Sequence, residues 1–284
     1  MNLNEYARRK ESLIRRMLAA LFLVFKQFLK PFMSARDWGN MMHVTYVVVK
    51  PFRDEGTELA REFYDANRVL QQPSKKPQDI FKDDFYPERW FRETMAPVFE
   101  DLQKTGNVDG AFTEASNRVT KVVEDGARRT ILQGVVDDHD SPVRGYARFD
   151  PRPPTCAFCT MMISRGPVYI AGKGASSAGF PEGHQRLERL ILDDDTDAIN
   201  ELMNKWHPGC TCIAVPIYKY DNYVTQEQER EAFKIYEAAV KATRKEMRAG
   251  QSKMNTRLIL NEMRKLIYKP NTGEDEVMLS RNVA

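Results

Sequence analysis

All four cysteines of the chain lie in two short segments, and a histidine stands beside the second pair. Cys156 and Cys159 form a CxxC motif, and His207, Cys210 and Cys212 form an HxxCxC motif further along the chain. Thiolates and imidazoles are preferred zinc ligands, and a tetrahedral site takes four donors where these motifs offer five. Because the donors come from two distant segments, a bound metal would join two parts of the chain, whereas a catalytic site would keep one coordination position open. The pattern therefore predicts a closed, structural zinc site.

The cysteines could instead form disulfides, act as redox-active thiols or be inert buried thiols. Nothing in the sequence marks the chain as secreted, and a reducing compartment disfavours disulfides. A thioredoxin-like CxxC motif needs a βαβ context. Here Cys156 follows a proline-rich turn formed by Pro151, Pro153 and Pro154. These observations favour zinc over the alternatives without eliminating them.

Two residues are candidates for the fourth ligand. The spacing allows either His207 or Cys210 to close a tetrahedron with the other cysteines. His184, which follows a glycine, is a weaker candidate and more typical of a surface or capping histidine. The candidate metal ligands are Cys156, Cys159, His207, Cys210 and Cys212.

The composition describes an ordinary globular protein with a slightly basic balance. At 284 residues the chain can form one large domain or two modest ones, and 42% hydrophobic residues suffice for a packed core. A net charge of +3 does not indicate a dedicated DNA-binding protein. The basic residues are concentrated near the start, however, and such an arm can contact nucleic acid, an acidic protein surface or anionic lipid. They are Arg8, Arg9, Lys10, Arg15, Arg16, Lys26 and Lys30.

A short apolar run, Met17–Phe25, lies within this basic region. It is followed by Lys26 rather than by a cleavage site of small residues, so a signal peptide is disfavoured. It is also shorter than the roughly 20 residues that span a bilayer. We expect an apolar helix that docks on a partner or on the rest of the fold, with a membrane-associated protein acting during DNA delivery as the less favoured alternative.

Helical periodicity dominates the chain, and the predicted fold class is mainly α, with some α+β character. Long helices flank a small zinc-knuckle domain that contains a short β-hairpin or sheet. Within this domain, 168–170 and 213–218 read as strands, 171–183 as a loop and 186–204 as a polar helix or turns. The predicted organisation is an N-terminal helical arm (1–36), a helical domain (37–144), the Cys/His domain (145–222), C-terminal helices (223–270) and a disordered tail (271–284).

Two apolar stripes predict which helix faces are buried. The first joins Val119, Val122, Val123, Ala127, Ile131 and Val135. The second, in the C-terminal part, joins Phe233, Tyr236, Val240 and Met247.

The common catalytic motifs are absent from the sequence. It contains no HExxH, no GxSxG and no Walker A loop, and no His-x-Glu precedes the CxxC motif as a zinc deaminase requires. A carboxylate cluster near His184 is the one candidate for an enzyme or toxin-type effector, such as a nuclease or an ADP-ribosyltransferase. No base–nucleophile pair accompanies it, so we expect a protein without catalytic activity. The cluster comprises Asp193, Asp194, Asp195 and Asp197.

Four blocks of sequence carry a resemblance to a known family. They are Leu59–Arg68, Gly145–Arg148, Cys156–Tyr169 and Trp206–Cys212. Together the blocks resemble the MuF-like minor capsid, or head morphogenesis, proteins of tailed bacteriophages, in the forms found in phages of actinobacteria. The third and fourth blocks in tandem are the specific part. The likeness spans roughly residues 37 to 218 and leaves the terminal helices unmatched.

The resemblance implies a structural role in building the phage head. Family members lie inside the capsid near the portal vertex, and some act in DNA packaging or ejection. It implies the portal protein, and secondarily the major capsid protein, as partners, with assembly in the host cytoplasm and a final place in the virion. Packaged DNA is a further candidate partner for the basic N-terminal arm. Some relatives carry a fused protease, but this chain has no recognisable protease motif, so that activity is not carried over.

Overall fold

The computed structural model describes residues 1–77, 85–138, 145–152, 154–167, 206–219, 222–246 and 256–268. It is mostly helical with one small antiparallel sheet, which confirms the predicted fold class. The elements are α1 (Leu3–Phe28), α2 (Ala35–Gln71), α3 (Glu88–Thr105), α4 (Val108–Asp137), β1 (Gly145–Phe149), α5 (Ala157–Ile163), β2 (Ile213–Ile217), α6 (Gln226–Glu246) and α7 (Thr256–Ile267).

The ends of the first helices follow local capping chemistry. Asn2, Ser34 and Asn107 each accept a hydrogen bond from a first-turn amide of α1, α2 and α4, as side-chain oxygens at N-caps do. The helix α3 is capped after Thr105 by Gly106, whose φ of 64° is left-handed and suits glycine. Local side-chain and backbone chemistry therefore sets these helix ends.

The chain divides into two compact units. The first contains α1 to α4 and both strands, and its core is formed by the apolar faces of the four helices. The apolar run of α1 docks on its own fold, because Leu21, Val24 and Phe25 are buried in this core. Burial of each such side chain contributes about 1.5–3 kcal/mol. Phe22 and Leu23 of the same run stay exposed.

The helix α4 is buried on more than one face. Its predicted apolar stripe, from Val119 to Val135, is buried as expected. Several charged or polar residues of the same helix are buried too, which the stripe did not predict. They are Thr120, Glu124, Asp125, Arg128, Arg129, Thr130 and Gln133.

The sheet joins two strands that lie far apart in sequence. β1 pairs antiparallel with β2, and the register sets Gly145 opposite Ile217 and Phe149 opposite Ile213. The register places Cys212 immediately before the paired part of β2. The predicted strand at 213–218 is confirmed, with its end one residue earlier.

The second unit contains α5, α6 and α7. The buried face of α6 carries Ala232, Ala239 and Thr243, which are small enough for close helix packing. The prediction that Phe233 lies in the buried stripe is wrong, because Phe233 is 51% exposed. In α7 the buried apolar residues are Ile259 and Met263.

Several sequence predictions fall outside the described residues. They concern His184, the aspartates at 193–197, the strand at 168–170, the segments 171–183 and 186–204, and the tail at 271–284.

Candidate metal centre

Buried cations hold the backbone of the second cysteine motif. Arg128 Nη2 donates a hydrogen bond to the carbonyl of Cys210 at 2.7 Å, and Arg128 Nε and Nη2 donate to that of Cys212 at 3.2 Å. The carbonyl between them, on Thr211, accepts from Lys10 Nζ at 3.0 Å. Three successive carbonyls are thus fixed by side chains from α1 and α4.

Acidic side chains of α4 balance these cations. Lys10 pairs with Glu124 at 2.8 Å, and Arg128 pairs with Asp125 at 3.0 Å. Asp125 also pairs with Lys121. Because a buried charge without a partner costs several kcal/mol, this pairing permits two cations beneath the cysteine motif.

The surroundings of Arg128 favour its charged form despite its burial. Burial alone lowers the pKa of a guanidinium. At Arg128 the negative charges of Glu124, Cys210, Asp125 and Cys212 outweigh burial, so its pKa is raised above the ordinary value.

Trp206, at the start of the same segment, packs against two arginines. The guanidinium carbon of Arg148 lies 3.7 Å from the centroid of the indole ring, and that of Arg128 lies 4.3 Å from it. All three side chains are buried, where a cation over an indole face is worth about 2 kcal/mol. Burial raises the pKa of Tyr146, although the nearby charge of Arg148 and a hydrogen bond with it act in the opposite direction.

A tight turn presents His207. Cys210 N donates to His207 O at 3.1 Å, and Gly209 has a φ of 74°, the left-handed conformation that favours glycine. Nδ1 of His207 lies 2.7 Å from the carbonyl oxygen of Pro208. A carbonyl only accepts, so Nδ1 carries a proton in this contact, and in a neutral ring Nε2 would be the nitrogen left to bind a metal.

The first cysteine motif is shaped by local contacts. Cys156 is the N-cap of α5, and its sulfur accepts a hydrogen bond from Cys159 N at 3.3 Å. Cys159 is buried, whereas Cys156 is partly exposed. The CxxC spacing therefore aligns both thiols at the start of one helical turn. None of the four cysteines forms a disulfide.

The five predicted ligands are divided between the two units of the chain. Cys156 and Cys159 lie in the second unit, and His207, Cys210 and Cys212 lie in the first. Thiolates and an imidazole are the donors that zinc prefers, so the donor chemistry of the two motifs fits a zinc ion. Which metal binds, and which four residues would hold it, stay predictions.

The sequence did not reveal the residues that support this motif. Lys10, Arg128 and Arg148 are charged, and charged residues are usually exposed. One signal was available, because Glu124 and Arg128 are four residues apart on a predicted helix and such a pair can satisfy itself when buried.

The exposed part of α1 is basic. Arg9 and Arg16 pair with Glu62 and Glu55 of α2. Arg8, Arg15 and Lys26 are exposed and have no ion-pair partner within the described ranges. No helix among the described segments has the length and apolar character needed to cross a bilayer.

Comparison with known proteins places the chain among phage proteins. The family model described as VG15 protein matches residues 2–239. The chain is 28% identical over 255 residues to the Gene 15 protein of Mycobacterium phage D29, covering 85% of this chain and 90% of the relative. It is 26% identical over 241 residues to the Gene 15 protein of Mycobacterium phage L5, covering 78% and 80%. No solved structure gives a significant match.

Proposed function

We propose that this chain, which belongs to the VG15 protein family and is similar to the Gene 15 proteins of two mycobacteriophages, is a minor capsid protein of the MuF-like, head morphogenesis type. In this role it lies inside the head near the portal vertex and aids head assembly and DNA packaging or ejection. Its partners are the portal protein and secondarily the major capsid protein. It assembles in the host cytoplasm and acts without catalysis.

One observation supports a structural rather than a catalytic role for the metal site. Cys159, Cys210 and Cys212 are each buried. A catalytic zinc keeps a position open for water or substrate, whereas a buried set of thiolates suits a closed site. Bound zinc would link segments that are distant in sequence. Its binding free energy would then stabilise the fold, which is useful inside a DNA-filled shell.

The first experiment measures the metal content of the purified full chain by elemental analysis. We expect about one zinc per chain, as a single closed site requires. Cys159→Ser should abolish zinc binding, because Cys159 is the buried thiol of the predicted CxxC ligand pair. Met161→Leu, on the same short helix, is the control and should keep the metal. A wild-type chain without metal, with unchanged stability in Cys159→Ser, would refute the zinc site.

A second experiment tests the place in the head. Purified virions should contain the protein, and brief cross-linking should join it to the portal protein. A phage that lacks the gene product should produce defective heads or heads that fail to deliver DNA. Mature, infectious particles from which the protein is absent would contradict the structural role.

DNA contact through α1 is the remaining partner proposal. Replacing Arg8, Arg15 and Lys26 by glutamine should weaken binding to duplex DNA and lower the slope of its salt dependence, since each phosphate contact releases counterions. Arg9→Gln with Arg16→Gln is the matched control, because these two are paired with carboxylates of α2. Equal weakening by both sets would argue against a specific surface.

A further inference from the structure

The Cys210–Cys212 backbone is held by charged side chains rather than by local turns alone. Its three carbonyls accept hydrogen bonds from Arg128 and Lys10. The planar fork of a guanidinium holds its donors in a fixed geometry, and in Arg128 these donors bind the carbonyls of both Cys210 and Cys212. We infer that Arg128, with Lys10, holds this segment in its ligand-binding conformation before any metal binds. Both are positioning residues, and the inference rests on the proposed zinc site.

The advantage of such positioning is entropic and electrostatic. Fixing a flexible residue costs roughly 1–2 kcal/mol, so a preformed segment loses less free energy when metal binds. Two thiolates also bring negative charge into a buried region. The guanidinium of Arg128 offsets that charge and stands beneath both cysteines.

The supporting side chains need no metal to stay in place. Lys10 is fixed by Glu124, and Arg128 by Asp125 and by the ring of Trp206. These contacts are complete within the helices and the segment itself. The Cys210–Cys212 backbone should therefore keep its conformation in the metal-free protein.

Arg128→Met is the decisive variant, and we expect it to fold. When Arg128 is removed, Glu124 keeps its pair with Lys10, and Asp125 keeps its pair with Lys121. No buried carboxylate loses its last cation. Arg118→Met is the matched control, because Arg118 also lies on α4 and donates to a backbone carbonyl, that of Thr94 at 3.0 Å.

The first readout is zinc affinity, measured on the full chain by competition with a chromophoric chelator. Loss of a residue that orients metal ligands typically weakens binding about 10–100-fold. We expect this for Arg128→Met, a smaller loss for Arg128→Lys, and wild-type affinity for Arg118→Met. A folded Arg128→Met protein with wild-type affinity would overturn the inference. If Arg128→Met does not fold, Arg128→Lys decides in the same way.

The second readout is hydrogen exchange of a peptide covering residues 206–212, with metal removed by chelator. Slow exchange in the wild type and faster exchange in Arg128→Met would support preformation. Fast exchange in the metal-free wild type would overturn it even if zinc binds. A wild type that binds no zinc but shows slow exchange would refute the zinc site while leaving the positioning intact.

Discussion

The segment that begins at Trp206 and continues through β2 is fastened at both ends, in two different ways. At its start, Lys10 and Arg128 hold the carbonyls of Cys210, Thr211 and Cys212; we term these contacts the cysteine anchor. At its other end, side chains of α2 and the end of α4 hold Pro216 and Tyr218; we term these the strand anchor. The cysteine anchor touches predicted metal ligands, whereas the strand anchor touches none.

The strand anchor combines amide hydrogen bonds with a buried ion pair. Asn67 Nδ2 and Gln71 Nε2 both donate to Pro216 O at 2.9 Å. Tyr218 OH lies 3.5 Å from an oxygen of Asp138, which is paired with Arg68 at 2.7 Å. Burial raises the pKa of Tyr218, and that hydroxyl stays protonated at neutral pH. This end of the segment therefore serves stability, while the other end serves the candidate site.

Removing Arg68 should show the largest effect on stability. The Arg68–Asp138 pair is almost fully buried, and Arg68→Met leaves the carboxylate of Asp138 without its cation. Breaking a buried pair costs about 3–5 kcal/mol. We expect the free energy of unfolding in urea to fall by this amount, while zinc affinity per folded molecule stays unchanged.

Arg61→Met is the control for this variant. Arg61 lies on the same helix and pairs with Glu58 at the surface, so its loss should cost less than about 1 kcal/mol. A drop in zinc affinity in folded Arg68→Met would show that the two anchors are coupled. It would contradict the separate roles of the strand anchor in stability and of the cysteine anchor in metal binding.

Asn67→Ala should have an intermediate effect. Its amide is buried and donates to Pro216 O, but that carbonyl keeps a second donor in Gln71. Loss of one buried hydrogen bond, with the acceptor still satisfied, should cost about 0.5–1.5 kcal/mol. The measurement is again unfolding in urea, with Asn67→Ala compared to a double variant that also carries Gln71→Ala. A double variant no less stable than the single one would mean that Gln71 is not the second support.

The two anchors also differ in how well they could be predicted from the sequence. The block from Leu59 to Arg68 was recognisable as a pattern, and the structure explains it: Phe63 stacks on Tyr6 at 4.4 Å, and Tyr64 and Arg68 reach the end of α4. The ligand residues were equally visible, because cysteine spacing is local. The cysteine anchor was not, since helical periodicity assigns charged residues such as Lys10 and Arg128 to solvent.

Pairing over long distances explains the other differences. The strand β2 was predicted from its β-branched residues, but its partner β1 could not be identified, because register depends on contacts between distant segments. Phe233 was predicted to be buried by its spacing, yet α6 packs through Ala232 and Ala239. Small residues give weak signals in a hydrophobic pattern although they allow the closest packing.

The smallest effect is expected at an ion pair outside both anchors. Glu88 accepts hydrogen bonds from His43 Nδ1 at 2.9 Å and from Arg92 Nε at 2.8 Å. Burial alone would raise its pKa, but these two partners outweigh it, so the pKa of Glu88 lies below its ordinary value. A lowered pKa means that the charged form stabilises the fold. The contribution is complete above the ordinary glutamate pKa and is lost as the pH falls through the lowered value.

Glu88→Gln tests this contribution against the buried anchors. At pH 7 the variant should be less stable than the wild type by less than about 1 kcal/mol, because the pair is partly exposed. The difference should shrink when both proteins are unfolded in urea at a pH below the lowered pKa. High salt at pH 7 should shrink it as well, whereas the effect of Arg68→Met should persist in salt because buried charges are poorly screened. If Glu88→Gln lowered the free energy of unfolding as much as Arg68→Met does, and salt did not reduce the loss, solvent exposure would not explain the difference between the two ion pairs.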